Sequence, residues 1–251
     1  MPSALAEPLP PPEPHSLEAA GLVHRFGGIV AVNDVSFRVE RGELIGLIGP
    51  NGSGKTTLIN LLSGALAPDA GAIRLDGRDI AARRPHEFAR RGIGRTFQVP
   101  RLFRRMTVLE NLLVPALAMP GSNRRAAERQ AEEILAFFNL SALAEERARA
   151  LSGGQQKLLE LGRALMLNPT ILYLDEPFAG VHPRLLDQVL DRIAKLNEQG
   201  YTLIVVDHNL DAVRRIAEKR LLVMARGNLI ADGPPHEVLA NPAVVSAYTG
   251  G

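Results

Sequence analysis

The sequence predicts an α/β fold carrying a helical insertion, and three observations support this. Leu44-Ile45-Gly46-Leu47-Ile48-Gly49-Pro50-Asn51-Gly52-Ser53-Gly54-Lys55-Thr56-Thr57 reads as a buried strand, a glycine loop and the start of a helix running toward Gly64. Short apolar strands recur at 171–174 and 201–206, with helical spacing over about 184–198 between them. Residues 107–150 offer helical patterns and no plausible strand, so they interrupt an otherwise α/β chain.

Gly49 to Thr56 matches the phosphate-binding P-loop, with Lys55 and Thr56 in the required places. Its three glycines let the backbone curl without Cβ clashes, so N–H groups from Asn51, Gly52, Ser53, Gly54 and onward to Thr57 can turn toward phosphate oxygens. The helix starting near Lys55 adds its positive end to the same anion. Lys55 has the reach for β- and γ-phosphates, and the Thr56 hydroxyl suits one place on an octahedral magnesium. By composition alone the pattern would arise in about one per cent of chains this long; the flanking strand and helix argue against accident.

Composition sets the outer bounds. The 251 residues suffice for one large domain, alone or with a small one. With 46% apolar and 22% charged residues, the profile is that of an ordinary soluble globular protein. Absence of Cys excludes disulfides and Cys-based metal sites, and fits a reducing cytosol. No apolar run reaches the roughly 18 residues of a membrane helix, and the N-terminus lacks the order of a signal peptide. A net charge of +2 is too small to argue for nucleic acid.

Residues 1–16 hold Pro at 2, 8, 10, 11, 12 and 14 with little to bury, which predicts a disordered or polyproline II-like tail. A single domain is expected over 17–249. Val35 to Val39 alternates as a strand, Glu40-Arg41-Gly42 turns, and Glu43 leads into the P-loop strand. Phe26 is a candidate platform for stacking on a base; alone, it would be read as a core residue. Ala72 to Leu75, Asp76-Gly77 and Ile80 suggest a hairpin. Arg83, Arg84, Arg90, Arg91, Arg95, Arg101, Arg104 and Arg105 face a single acid, Glu87, which reads as a solvated or partner-facing surface rather than a nucleic-acid site, since no aromatic pairs interleave. Thr107 and Glu110 form a capping box, and Arg124 to Phe138 has helical spacing. Residues 220–224 and 229–232 pair as a hairpin, followed by helical turns near 235–240 and 242–248.

Two further signals concern phosphate. Asp175-Glu176 ends the strand at 171–174, where a P-loop protein holds magnesium, which makes Glu176 a candidate to orient or deprotonate a water near the γ-phosphate. Leu151-Ser152-Gly153-Gly154-Gln155 sets a hydroxyl and two glycines before a helix over about 155–167, a second N-terminal anion site or else a glycine-rich cap.

Together these motifs resemble the ATP-binding-cassette (ABC) ATPases over essentially all of residues 17–249. The resemblance rests on the P-loop at 49–56, the signature run at 151–155, Gln98 in Arg95-Thr96-Phe97-Gln98, the acids at 175 and 176, His208 in Val205-Val206-Asp207-His208, and Phe26 in the place of the adenine-stacking aromatic. Gly92 to Gln98, Leu102-Phe103, Met106 to Leu112 and Ala247-Tyr248-Thr249-Gly250 are similar to one branch, the ATPase of branched-chain amino acid importers. Relatives in that branch serve urea, amides or aromatic acids, and the lipopolysaccharide exporter's ATPase is also close. One position departs: His182 stands before Pro183 where the family carries Asp, or Asn in this branch.

The resemblance implies a P-loop NTPase cassette with a RecA-like core, an antiparallel β subdomain and a helical subdomain inserted at about 100–165. It implies ATP and Mg2+ as ligands, with Thr56, Gln98 and Asp175 toward the metal and Phe26, residues 51–57, and Ser152, Gly153, Gly154 and Gln155 toward nucleotide. Two cassettes, identical or not, would pair head to tail, each ATP lying between one P-loop and the other subunit's signature run, with Glu176, His208 and Gln98 around the attacking water. The implied partners are a second ABC ATPase, membrane permease subunits whose cytoplasmic loops meet the helical insertion and the Gln98 segment, and indirectly a periplasmic substrate-binding protein. No nucleic acid is implied, and the implied location is cytoplasmic, peripheral on the inner face of the cell membrane. Soluble ABC proteins of repair and translation usually carry two cassettes or coiled coils, absent here, and intact Glu176 and His208 disfavour a scaffold without turnover.

Overall fold

A computed structural model of the protein describes residues 15–81 and 84–249. Most of the Pro-rich tail expected at 1–16, and Arg83 of the arginine run, lie outside the described residues.

Two long strands come first, β1 (Leu17–Phe26) and β2 (Ile29–Val39). The strand β3 (Leu44–Ile48) feeds the helix α1 (Lys55–Leu62), and a hairpin follows, β4 (Ala70–Leu75) and β5 (Arg78–Asp79). Next come α2 (Pro85–Arg90), β6 (Ile93–Arg95) and three helices, α3 (Val108–Leu117), α4 (Arg124–Phe137) and α5 (Gly153–Leu165). Alternation then resumes with β7 (Ile171–Asp175), α6 (Pro183–Glu198), β8 (Thr202–Val206), α7 (Leu210–Ile216) and β9 (Leu221–Ala225). The chain closes on β10 (Asn228–Gly233), α8 (Pro235–Ala240) and α9 (Pro242–Thr249).

These strands form a four-stranded sheet in the order β2-β1-β4-β5 and a six-stranded sheet in the order β10-β9-β3-β8-β7-β6. All pairings in the first are antiparallel; in the second only β10 runs antiparallel, at the edge. The parallel strands β3, β7, β8 and β9 are largely apolar on both faces, as a sheet covered on both sides must be. Alternate residues divide between two cores. Leu44, Leu172, Leu174, Leu203, Val205, Leu221 and Val223 pack with the inserted helices and α6. Ile45, Leu47, Ile171, Tyr173, Ile204, Val206, Leu222 and Met224 pack with α1 and the antiparallel sheet. The period-two alternation of each strand thus joins three layers into one body.

The capping box at the insertion is present: Thr107 Oγ1 accepts from Glu110 N–H at 3.0 Å, and Glu110 Oε2 accepts from Thr107 N–H at 2.7 Å. β2 begins six residues before the alternation at Val35. Its first half is largely exposed and is held by backbone pairing, Phe26 opposite Ile29 and Arg25 opposite Val30, which leaves no hydrophobic pattern to read. Arg95 departs from the reading of the arginine stretch as a solvated or partner-facing surface: it is a half-buried ion-pair residue, because β6 lies beside β7 and sets it next to Asp175.

Candidate active site

The parallel strands deliver their carboxyl ends to one side of the sheet, where ligands of open α/β folds bind. A cleft of about 470 Å³ opens there, lined by Phe26, Ile29, Val30, Asn51 to Thr57, Asp175, Glu176 and Arg226 among others. Gly49 and Gly54 make the loop possible. Gly54 has φ +103° and a Cβ there would meet the Ala31 carbonyl oxygen at 2.3 Å; Gly49 has φ +151° and a Cβ would meet the Met224 carbonyl oxygen at 2.2 Å. Gly54 caps α1 and no side chain occupies that cap, so the first-turn amides stay open to the cleft.

Lys55 Nζ donates to the carbonyls of Gly49 at 2.7 Å and Pro50 at 3.0 Å, which aims the ammonium across the mouth of the loop. Burial holds its pKa below the usual lysine value, opposed by the carboxylates of Glu176 and Asp175. Phe26 is 52% exposed at the end of β1, edge-on to the His24 ring at 4.7 Å, so its face is free to stack.

The two acids differ in surroundings. Asp175 is buried, and its Oδ2 accepts from Arg95 Nη2 at 3.0 Å; Arg95 also donates to Asn60 at 2.6 Å. Glu176 has φ +48°, a conformation that costs about 1–2 kcal/mol for a residue with a Cβ, and its amide donates to the Val206 carbonyl at 2.7 Å. Its Oε2 accepts from Gln98 Nε2 at 2.8 Å, with His208 Nδ1 at 3.8 Å. The structure thus brings Gln98, Glu176 and His208 into one group beside the cleft.

Magnesium fits the donors present. The Thr56 hydroxyl and the Asp175 carboxylate line the same cleft, and both are hard oxygen ligands. Gln98, also expected toward the metal, does not line the cleft and is engaged with Glu176.

Residues 32–179 match the family model described as ABC transporter. The chain belongs to the ABC transporter family. Residues 228–251 of this cassette match a second model, described as branched-chain amino acid ATP-binding cassette transporter. The cassette is 41% identical over 249 residues to the high-affinity branched-chain amino acid transport ATP-binding protein BraF of Pseudomonas aeruginosa, covering 93% of this chain and 97% of that one. It is 42% identical over 245 residues to the probable branched-chain amino acid transport ATP-binding protein LivG of Archaeoglobus fulgidus, covering 93% and 95%. Among solved structures, a nucleotide-free ATP-binding cassette from an ABC transporter superposes with TM-score 0.86 at 38% identity, covering 94% of this chain and all of that one. The chain is therefore a nucleotide-binding P-loop ATPase whose hydrolysis is coupled to transport.

In this cassette Ser152, Gly153, Gly154 and Gln155 do not line the cleft. Ser152 caps α5, its Oγ accepting from Gln155 N–H at 3.4 Å while Gln155 Oε1 accepts from Ser152 N–H at 2.9 Å. Gly153 packs near the Gly180 carbonyl and Gly154 against Leu185, which joins the signature turn to the loop that follows Glu176.

His182 also caps a helix. Its Nδ1 accepts from Arg184 N–H at 3.3 Å at the start of α6. Asn is as good a cap at such a position. His182→Ala, which removes the cap, is expected to cost about 1 kcal/mol of stability and His182→Asn to restore it; equal Tm values for the two variants would remove the capping role.

Several site residues escaped the sequence. Half-buried Arg95 touches Asp175, and the buried charges Lys157 and Glu160 touch the Gln98 segment. Arg226 lines the cleft from the β9–β10 turn. Tyr248 on α9 contacts the Gly49 backbone; burial pushes its phenol up to about 12, against that hydrogen bond. One signal was available for Lys157: it falls in the buried stripe 154, 157, 158, 161, 165 of α5, an odd place for a lysine.

Proposed function

We propose that this cassette is the ATP-hydrolysing motor subunit of an importer for branched-chain or related amino acids. The match at 228–251 is the observation that carries this reading, because that segment is where the branch differs from other cassettes. It favours amino acid uptake over lipopolysaccharide export.

Phe26 would stack on adenine, while the amides of 51–57 and the Lys55 ammonium hold the phosphates. Thr56 and Asp175 would hold magnesium, whose charge neutralises the β- and γ-phosphates when bound. Glu176 would take the proton of the attacking water, with Gln98 and His208 orienting it. Ser152 to Gln155 would reach the nucleotide of a second cassette, identical or not, so that two chains close on two ATP molecules. The domain would span 17–249, with 100–165 as its helical subdomain.

Membrane permease subunits would dock where the Gln98 segment meets the insertion. A groove of about 480 Å³ lined by Phe97, Arg101, Leu102, Phe103, Pro115 and Arg163 supports that reading, as do Val99 at 71% and Phe103 at 46% exposure beside it. Among the described residues no helix is long and apolar enough to cross a membrane, so the cassette would sit peripherally on the inner face of the cell membrane. A periplasmic binding protein would act on it only through the permease.

The test is co-expression with the permease pair and binding protein of a branched-chain amino acid importer, followed by ATP-driven uptake into vesicles. Leucine, isoleucine or valine uptake that vanishes in Lys55→Ala is expected. Uptake of urea or an aromatic acid instead, or tight salt-sensitive duplex binding in place of permease association, would overturn the proposal.

A further inference from the structure

Two charged side chains one turn apart on α5 grip the backbone around Gln98. Lys157 Nζ donates to the Gln98 carbonyl at 2.5 Å and to the Glu176 carbonyl at 3.0 Å. Glu160 Oε1 accepts from Phe97 N–H at 3.2 Å and from Arg101 N–H at 3.3 Å. Lys157 is 9% exposed and Glu160 5%. Packing alone does not call for them, since apolar residues at these stripe positions would cost less desolvation.

The contacts close a ring. Lys157 binds the main chains of Gln98 and Glu176, and the side chains of those residues bind each other at 2.8 Å. Two catalytic candidates far apart in sequence thus depend on one ammonium for their spacing. That ammonium stands about one and a half turns into the helix capped by Ser152. A rigid helix transmits displacement along its length, so a shift of the Ser152 turn carries Lys157 and Glu160 with it.

We propose that Lys157, with Glu160 beside it, is a positioning residue that couples the signature turn to Gln98 and Glu176 of the same chain. The proposal rests on the roles given above to Ser152, Gln98 and Glu176. A γ-phosphate engaged by Ser152 in one composite site would thereby set the geometry of Gln98 and Glu176 in the other. Glu160 opposes slippage, because its pull on two amides holds the Gln98 segment against α5 while Lys157 aligns it.

Lys157→Met keeps the length and removes the donor; Lys157→Arg keeps the charge. In Lys157→Met, kcat for ATP is expected to fall roughly 10–100-fold, the worth of a misplaced catalytic group, with KM within about threefold of wild type. Hydrogen exchange should quicken at Phe97, Gln98 and Arg101 and around Glu176, with α5 as protected as before. Lys157→Arg should recover most of the rate. In a Gln98→Ala background, Lys157→Met should cost less than in the wild type, since only Glu176 is then left to misplace.

Wild-type turnover in Lys157→Met would overturn the proposal. So would α5 losing protection together with the Gln98 segment, or an undiminished loss in the Gln98→Ala background, since either makes the lysine merely structural. If Glu176→Gln hydrolyses ATP normally, the role given to Glu176 fails by itself, and exchange at 97–101 still decides the ring.

Discussion

Lys55→Ala is expected to abolish useful nucleotide binding while leaving the fold in place. The Gly49 and Pro50 carbonyls hold the ammonium at the mouth of the loop, within reach of two carboxylates whose field it offsets. Charge-assisted hydrogen bonds are worth about 1.5–3 kcal/mol each, so losing contact to two phosphates should weaken binding by about 3 kcal/mol, or roughly a hundredfold. The fold has little to lose, because Ala is a good first-turn residue and a partly buried charge disappears. At a nucleotide concentration about 100 times the wild-type Kd, ligand should add about 2.7 kcal/mol to the wild type and only about 0.4 kcal/mol to the variant. Calorimetry should then show a ligand-induced rise in Tm of several degrees in one protein and almost none in the other. An equal rise in both would detach the loop from phosphate.

How far the sequence could be read follows from where the information lies. Loop motifs at strand ends were legible because their chemistry is local: Gly49 and Gly54 need glycine for backbone reasons, and Thr107, Glu110, Ser152 and Gln155 cap the helices that follow them. The parallel strands β3, β7, β8 and β9 were legible because each is a nearly continuous apolar run, whereas β6, three residues ending in Arg95, was not. Pairings between distant segments were not. Arg95 looked like one of eight arginines on a surface, and only the register of β6 on β7 makes it the partner of buried Asp175. Lys157 and Glu160 act on carbonyls and amides of other segments, and a backbone group carries no residue-type signal. Phe97 and Phe103 likewise looked unremarkable beside the arginines, yet Arg101 lies 4.0 Å from the Phe97 ring centre and Arg163 5.1 Å from that of Phe103, so part of the charge is stacked rather than solvated.

Glu176→Gln is expected to separate binding from chemistry. The amide keeps the shape, and Lys55, Thr56 and Asp175 are untouched, so ATP and magnesium should bind as in the wild type. The strained φ of +48° at this residue belongs to the backbone and is held by the Glu176 amide on the Val206 carbonyl, so the loop should keep its course. The lost feature is the anionic oxygen that accepts from Gln98 and lies 3.8 Å from His208. Without a base the water must attack the γ-phosphate while still fully protonated, and hydrolysis should fall by about 10²–10⁴-fold, the usual worth of a positioned base. Two cassettes that close on ATP should then stay closed, since nothing converts the γ-phosphate that joins them. Sizing chromatography at high protein concentration should show a dimer with ATP and a monomer with ADP. A variant that hydrolyses ATP at the wild-type rate would end the assignment of Glu176 as base. A variant that is slow yet monomeric with ATP would leave the base in place and remove the Ser152 turn from the second nucleotide.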